Sequence, residues 1–501
     1  MERPPNILFV TGDQWRAECL SAVGHPVVET PRLDALAAEG TLFRRHFANA
    51  SPCGPSRASI HTGLYAMTHR SVRNGTPLDA RFDNWALALS RHGYEPCLIG
   101  YTDTSADPRR FPKDHPALRT YEGVLPGMTP LLVLPSDHAP WLQYLRREGY
   151  DVPAVAPTAC YTPQASHPDA ASRGPTFAPA LYRAEHSDTA FVTDRALAHI
   201  AQNRGRPWCL HLAYLRPHPP HVAPAPFHDR YHPDRVPGPH RAAAVESEAR
   251  QHPWLAHHLE AQSYAADWPE PHRRQLRATY YGMIAEVDDQ IGRLLAELKE
   301  SGEYDRTIIV FSADHGEMLG DHWFFGKDGY FDAAFHVPLI IRVPGGVRGR
   351  VVDHFTEHVD LMPTLLDLAG VSVPTQCDGR SLAPWLAGGH PTNWRRAAHW
   401  EYDFRDVVAG APERALGIAM DACCLAVHRG ERYKYVHFAG LAGLLFDLEQ
   451  DPHELDDRAA DPAYASVLAA CMGAMLSWRL KHAERTLAGT LLTAAGPIER
   501  R

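Results

Sequence analysis

The chain has 501 residues, of which 45% are hydrophobic and 22% charged, with a formal net charge of −9. One hydrophobic core rarely serves more than roughly 300 residues, so a large domain with a smaller companion is expected. The acidic balance excludes a non-specific nucleic-acid binder, which needs basic stripes, but not a binder of small anions, because a few arginines and a metal can make a pocket locally positive.

The first residues, "MERPPNILFV", lack a long apolar h-region, and no stretch approaches the ~20 apolar residues of a membrane helix. The nine cysteines (Cys19, Cys53, Cys97, Cys160, Cys209, Cys377, Cys423, Cys424 and Cys471) are scattered and form no CxxC pair. They fit reduced thiols better than a disulfide framework. The expectation is a cytoplasmic protein with neither membrane nor nucleic acid as partner.

In chain order, "NILFVTGDQ" predicts a buried strand, Ile7 to Val10, that delivers Asp13 and Gln14 at its carboxyl end. "TPRLDALAAEG" predicts a helix with Thr30 as N-cap, Pro31 in its first turn and Gly40 at its stop. "WALALSRHG" and "YEPCLIGY" predict a helix and a strand. This alternation predicts a large, mostly parallel sheet covered by helices on both faces. Residues 110–186 are rich in Pro, His, Ala and Asp and predict a long irregular excursion, interrupted by no regular element. "DTAFVTDRALAHIAQN" and "WCLHLAYL" restore a helix and a strand, and 216–272 again predict loop. Loops of this length usually serve as lids or interface arms.

From Arg277 to Glu300, Tyr280, Ile284, Val287, Ile291, Leu294 and Leu298 recur at three- and four-residue steps, and Gly302 follows. A helix is predicted there, then a strand in "TIIVFSADHGE", another in "VPLIIRV" and a helix in "DLMPTLLDLAG". After Ser372 the pattern shifts to short strands and a terminal helix, "PAYASVLAACMGAMLSWRLKH". The expected division is a catalytic α/β domain over 1–371 and a smaller α+β domain with an antiparallel sheet over 372–501.

Two predicted strands end in pairs able to ligate metal, Asp13-Gln14 and Asp314-His315. Sites in open α/β sheets form at the carboxyl ends of strands, so the pairs are expected to converge. Two carboxylates, an amide oxygen and an imidazole suit Mn, Mg, Ca or Zn. Either pair by itself equally fits a turn cap and a helix cap. Cys53, in "SPCGPSR", fits a buried small side chain, a ligand, a nucleophile or the precursor of another group.

The run "CGPSRASIHTG" resembles the sulfatase signature, a Cys-x-Pro-Ser-Arg core followed by Thr-Gly. The resemblance continues through "GDQWRAE", "NGTPLD", "GYTDT", "YLRPHPP", "ADHGEMLGDH", "WEYDFRDV", "ERYKYVHF" and "SWRLKHAERTL". Across most of the chain it is nearest to the phosphonate monoester hydrolase and phosphodiesterase branch of the alkaline phosphatase superfamily and to related arylsulfatases. It implies an alkaline phosphatase-like fold and oxidation of Cys53 to formylglycine by a formylglycine-generating enzyme. It implies one divalent metal held by Asp13, Gln14, Asp314 and His315; Gln14 and His315 depart from the Asp and Asn of ordinary sulfatases and favour Mn beside Ca. Arg57 would partner the aldehyde hydrate, His218 or Lys327 would serve the leaving oxygen, and Asn74, Tyr101 and Asp103 would line the pocket. Asp103 departs from the Thr or His of related chains.

The implied activity is hydrolysis of a small monoanionic ester: a phosphonate monoester or phosphodiester with sulfatase activity, or alternatively an aryl sulfate first. The implied assembly is a homodimer or homotetramer. Two other readings stand beside it, a weak metal phosphatase using an unconverted Cys53 thiol and a non-catalytic scaffold. A scaffold has no need of Cys53, Arg57, Asp13, Asp314, His315 and Lys327 together.

Overall fold

The structure is a computed structural model, and it describes residues 3–152, 160–164, 166–262 and 264–499. Its centre is a mixed eight-stranded sheet in the order Arg350–Val352, Thr41–Phe43, Leu339–Arg342, Thr307–Ala313, Asn6–Asp13, Cys209–Pro217, Pro96–Gly100 and Thr129–Val133. The last five run parallel to one another, and Leu339–Arg342 runs antiparallel to Thr307–Ala313. The central strand sets the pattern. Leu8 and Val10 enter one hydrophobic cluster and Ile7 and Phe9 the other, so the sheet is buried on both faces. Period-two alternation between two cores explains why Ile7 to Val10 are apolar without a break.

Helices Asp188–Gln202 and Glu270–Glu300 cover the first face. Leu361–Leu368, with Trp85 and Trp385, covers the second. Each large side chain sealed in this way contributes about 1.5–3 kcal/mol. The helix Glu270–Glu300 begins seven residues before the expected Arg277, because its first turn is polar and carries Pro271, which a helix N-terminus accepts. The helix Pro31–Glu39 forms as expected, but the Thr30 hydroxyl makes no cap. The Asp288 carboxylate caps it from the long helix, accepting from the Arg32 and Leu33 amides at 3.1 and 2.9 Å.

The excursion over 110–186 is less irregular than expected. It holds the sheet's edge strand Thr129–Val133 and a helix, Ala139–Arg147, that buries Trp141, Leu142 and Leu145. Pro130 hides the strand from pattern reading; at an edge its missing N–H costs nothing. The stretch 216–272 likewise contains the helices Val245–Ala249 and Pro253–Ala261. Residues 153–159, 165 and 263 of these two stretches lie outside the described residues, as do 1, 2, 500 and 501 of the chain ends.

A second sheet has the order Leu444–Asp447, Tyr433–Phe438, Cys424–Arg429, Ala398–Asp403 and Ala50–Ser51. Its first four strands are antiparallel, as expected for the C-terminal region. The fifth comes from the N-terminal part and pairs parallel with Ala398–Asp403. It immediately precedes Cys53, so the two sheets grip the same segment. The helix Ala465–Lys481 docks Cys471, Met475 and Trp478 onto this sheet, and Arg479 reaches Glu401 at 2.9 Å. The segment Pro462–Lys481 reaches a mean hydropathy of 1.2 and is long and apolar enough to cross a membrane by length and composition, which corrects the expectation that no stretch approaches that length. Its outward residues Met472, Leu476 and Leu480 stay exposed.

Candidate active site

Seven segments bring the expected residues together, four of them at the carboxyl ends of neighbouring parallel strands, one a helix and two loops. Asp13 ends Asn6–Asp13, Asp314 and His315 follow Thr307–Ala313, His218 follows Cys209–Pro217, and Tyr101 and Asp103 follow Pro96–Gly100. The fifth is the helix Cys53–Thr62, every residue of which is buried, with Cys53 in its first turn and Gly63 in a left-handed stop. Asn74 and Lys327 arrive on loops. The Asn74 side-chain oxygen accepts from the Gly54 amide at 2.8 Å. A Cβ on Gly54 would stand 3.0 Å from that oxygen, so the glycine lets the Asn74 loop close over the helix end.

Asp13, Cys53, Asp314 and His315 place one ligand-type atom each within 4.8 Å of the others. The surrounding bonds aim these atoms inward. Arg57 donates to Asp314 Oδ2 and Asp13 Oδ2, both at 3.0 Å, and to the Tyr101 carbonyl at 3.0 Å. The Tyr101 hydroxyl donates to the same Asp13 Oδ2 at 2.8 Å. Each carboxylate thus has its outer oxygen occupied and turns Oδ1 toward His315 Nε2, at 3.7 Å for Asp13 and 3.6 Å for Asp314. Burial works against the Arg57 charge, yet Asp314 and its neighbours hold the guanidinium pKa well above the ordinary value. Among its hydrogen bonds, Arg57 therefore serves the carboxylates and not Cys53.

Burial, followed by the Lys327 charge, keeps the His315 pKa well below the usual range, so its ring is neutral. Its Nδ1–H donates to the Gly316 carbonyl at 3.1 Å, which leaves the Nε2 lone pair facing the cluster. Gln14 is held at φ 67°, a left-handed conformation costly to a side-chain-bearing residue, while its amide N–H donates to Asp314 Oδ1 at 3.1 Å. Its side-chain NH₂ donates to Glu317, and its Oε1 accepts from Lys327 Nζ at 2.9 Å. Two hard carboxylate oxygens and an oriented imidazole nitrogen fit a divalent cation, while the Gln14 amide oxygen is engaged by Lys327.

The Cys53 sulfur is 3.2 Å from His315 Nε2 and 3.1 Å from Lys327 Nζ. Burial and then Asp13 push the thiol pKa well above its ordinary value. Lys327 is the reverse case: burial opposes its charge, but Cys53, Asp13 and Asp314 outweigh it and raise its pKa. The Lys327 carbonyl accepts from the Ser51 hydroxyl at 2.7 Å, tying its loop to the strand before Cys53.

Asp13, Cys53, Asn74, Tyr101, Asp103, His218 and Lys327 line one cleft of about 210 Å³. Burial, and then the Lys327 charge, depress the His218 pKa to about 4. Its Nδ1–H donates to the Pro219 carbonyl at 2.7 Å, so Nε2 is an acceptor in the neutral ring. Asp103 sits at φ 48°, and burial, with Asp13 and Asp314 adding to it and Arg57 opposing, raises its pKa to about 7.

Pattern reading overlooked Glu317, Tyr121, Glu122 and His138. Glu317 accepts from the Gln14 side chain and from the Leu319 and Gly326 amides, joining a metal-competent residue to the Lys327 loop. Its signal was its place three residues after Asp314. The other three line the cleft but lie in the loop-rich stretch, where nothing in the local pattern marks them.

Comparison with known proteins agrees with this arrangement. The family model "Sulfatase" matches residues 5–371, and "N-sulphoglucosamine sulphohydrolase, C-terminal" matches 320–481. The chain is 42% identical over 499 residues to the multifunctional alkaline phosphatase superfamily protein PehA of Trinickia caryophylli, covering 96% of both chains. It is 28% identical to an arylsulfatase of Clostridium perfringens, over 92% of this chain and 91% of that one. The crystal structure of the phosphonate monoester hydrolase of Agrobacterium radiobacter superposes with a TM-score of 0.95 at 46% identity, covering 99% of this chain and 100% of that one. The Silicibacter pomeroyi phosphonate monoester hydrolase gives 0.94 at 42%, covering 99% of each. The chain is an ester-bond hydrolase and belongs to the sulfatase family of the alkaline phosphatase superfamily.

Proposed function

We propose that this enzyme hydrolyses phosphonate monoesters and phosphodiesters, with aryl sulfates as secondary substrates, using formylglycine at position 53 and one divalent cation, with Mn favoured. The observation that carries this reading is the meeting of the Cys53 sulfur with Lys327 and His315, beside two Arg57-held carboxylates, in one cleft. The sulfur stands in for the oxygens of a hydrated aldehyde. That group supplies a nucleophilic oxygen together with its own release route, and the cation, held by Asp13, Gln14, Asp314 and His315, supplies stabilisation of oxyanion charge.

The chain's own residues do the rest. The Lys327 ammonium is a charged donor at the cleft and serves the leaving oxygen. His218, neutral with Nε2 free to accept, takes a hydrogen bond or a proton and does not give one. Asn74 fixes the helix end that carries position 53. Arg57 and Tyr101 orient Asp13, and Glu317 orients Gln14. A tetrahedral monoanion suits the balance of these charges.

Peptide mass spectrometry across residues 51–57, run beside kcat/KM for a phenyl phosphonate ester, a phosphodiester and an aryl sulfate, tests the proposal. Aldehyde or its hydrate at position 53 and the highest kcat/KM for one of the phosphorus esters are expected. Full activity from protein bearing only unmodified Cys53 would overturn it. The free state of all nine cysteines supports a reducing cytoplasmic setting. The exposed Met472, Leu476 and Leu480 support assembly with a second copy of the chain.

A further inference from the structure

The cleft carries negative charge that hydrolysis of an anion does not need. The Asp103 side chain is 7% exposed and lines the cleft, yet it accepts no hydrogen bond among the described residues. Its nearest cation, Arg57 Nε, is 3.8 Å away and is already bonded to Asp314. Glu122 lines the same cleft; its Oε1 accepts only from the Ser136 amide, at 2.8 Å, and it faces no Lys or Arg within ion-pair distance among the described residues. Tyr121, an aromatic residue 38% exposed, lines the same cleft. Leu134 and Pro135 add an apolar wall. A nine-tenths-buried carboxylate that accepts no hydrogen bond, and whose one neighbouring arginine is already bonded to Asp314 and Asp13, is costly in a site for anions unless a further cation completes it.

The topology says which part of the substrate this wall meets. Asp103, Tyr121, Glu122 and Leu134 follow the last two strands of the sheet, Pro96–Gly100 and Thr129–Val133, at one end of the cleft. Lys327 comes from the other side, beside Gln14. With the leaving oxygen at Lys327, the substituent retained on phosphorus points to the acidic end.

We propose that Asp103, Glu122 and Tyr121 form a subsite for an ammonium group carried on a short alkyl stem of the substrate, making a zwitterionic ester the preferred one. The proposal rests on the hydrolase reading above. The carboxylates pair with the ammonium, the Tyr121 face offers a cation–π contact, and Leu134 and Pro135 take the methylenes.

The test compares the p-nitrophenyl esters of 2-aminoethylphosphonate and propylphosphonate, which match in size and differ by one positive charge. Wild-type kcat/KM is expected to favour the aminoethyl ester by roughly 10- to 100-fold, the effect of one charge-assisted hydrogen bond. Asp103→Asn and Glu122→Gln are each expected to bring the ratio toward one, mainly by slowing the aminoethyl ester. Glu122 is only half-buried, so its variant keeps the test decisive if Asp103→Asn fails to fold. A wild-type ratio at or below one, or a ratio unchanged in the folded variants, overturns the subsite while the hydrolase stands. Hydrolysis of neither ester, nor of the phenyl phosphonate ester, overturns both.

Discussion

Arg57 donates from one guanidinium nitrogen to Asp13 Oδ2 at 3.0 Å, and that bond decides where the other Asp13 oxygen points. The same guanidinium holds Asp314, so one buried arginine sets two ligand-type carboxylates whose positions lie 301 residues apart in the chain. Both partners are almost completely sealed from water.

Arg57→Lys is expected to fold but to hold only one carboxylate, since an ammonium lacks the planar fork. Metal content after dialysis should fall by about 10- to 100-fold in affinity, the usual effect of losing an orienting partner. Arg57→Ala should unfold early, because uncompensated buried charge costs about 3–5 kcal/mol. Unchanged metal affinity in Arg57→Lys would show that the arginine does not orient the carboxylates.

Cys53→Ala is expected to lose turnover by many powers of ten while keeping its melting temperature and circular dichroism. The side chain is small and lies at a helix end, so its removal opens little space. A variant that still turns over would remove position 53 from the chemistry.

Lys327→Met keeps the stem and removes the charge. Turnover should fall by about 10² to 10⁴, the range for a lost proton donor, and more for poor leaving groups than for p-nitrophenol. A uniform loss across leaving groups would move Lys327 to a purely structural role.

His218 titrates near 4 and not near 6.5, since burial and Lys327 disfavour its charge. Rates between pH 6 and 9 should therefore show no limb from this group, and His218→Asn should lower them by one factor at every pH. For stability the unfolded chain takes this proton below about 6.5 and the folded one refuses it until about 4. The His218 contribution is present above 6.5 and is lost as pH falls through that window. A limb near pH 6.5 that disappears in His218→Asn would reverse the assignment.

Leu476→Glu with Leu480→Glu places charge on the outer face of the terminal helix. Light scattering should report a smaller assembly than the wild type. An identical mass would move the interface elsewhere.

Much of this enzyme is legible in one dimension. The strand Asn6–Asp13 is visible because both faces are buried and Ile7 to Val10 form an unbroken apolar run. The helix Glu270–Glu300 is visible over its amphipathic part and not over its polar first turns. The Cys53 motif and the pairs Asp13-Gln14 and Asp314-His315 are local runs of chemistry-bearing residues, and the rule that sites gather at strand ends suffices to bring the pairs together.

What remained hidden depends on partners distant in sequence. The Asp288 cap on Pro31–Glu39 replaces the expected Thr30 cap because the long helix crosses that end. The edge strand Thr129–Val133 exists because Pro96–Gly100 offers it a ladder, and its own residues argue weakly for it. The pairing of Ala50–Ser51 with Ala398–Asp403 draws the C-terminal sheet against the Cys53 helix. The amino-acid order alone determined the reactive residues and their spacing, since these are properties of the chain. Only the tertiary structure decided which oxygen of each carboxylate faces inward, that His218 is an acceptor, and that Asp103 and Glu122 share one wall. The first follows from bonds such as that of Arg57 to Asp314, 257 residues away, and the other two from burial and from loop placement in the folded chain, which no local pattern encodes.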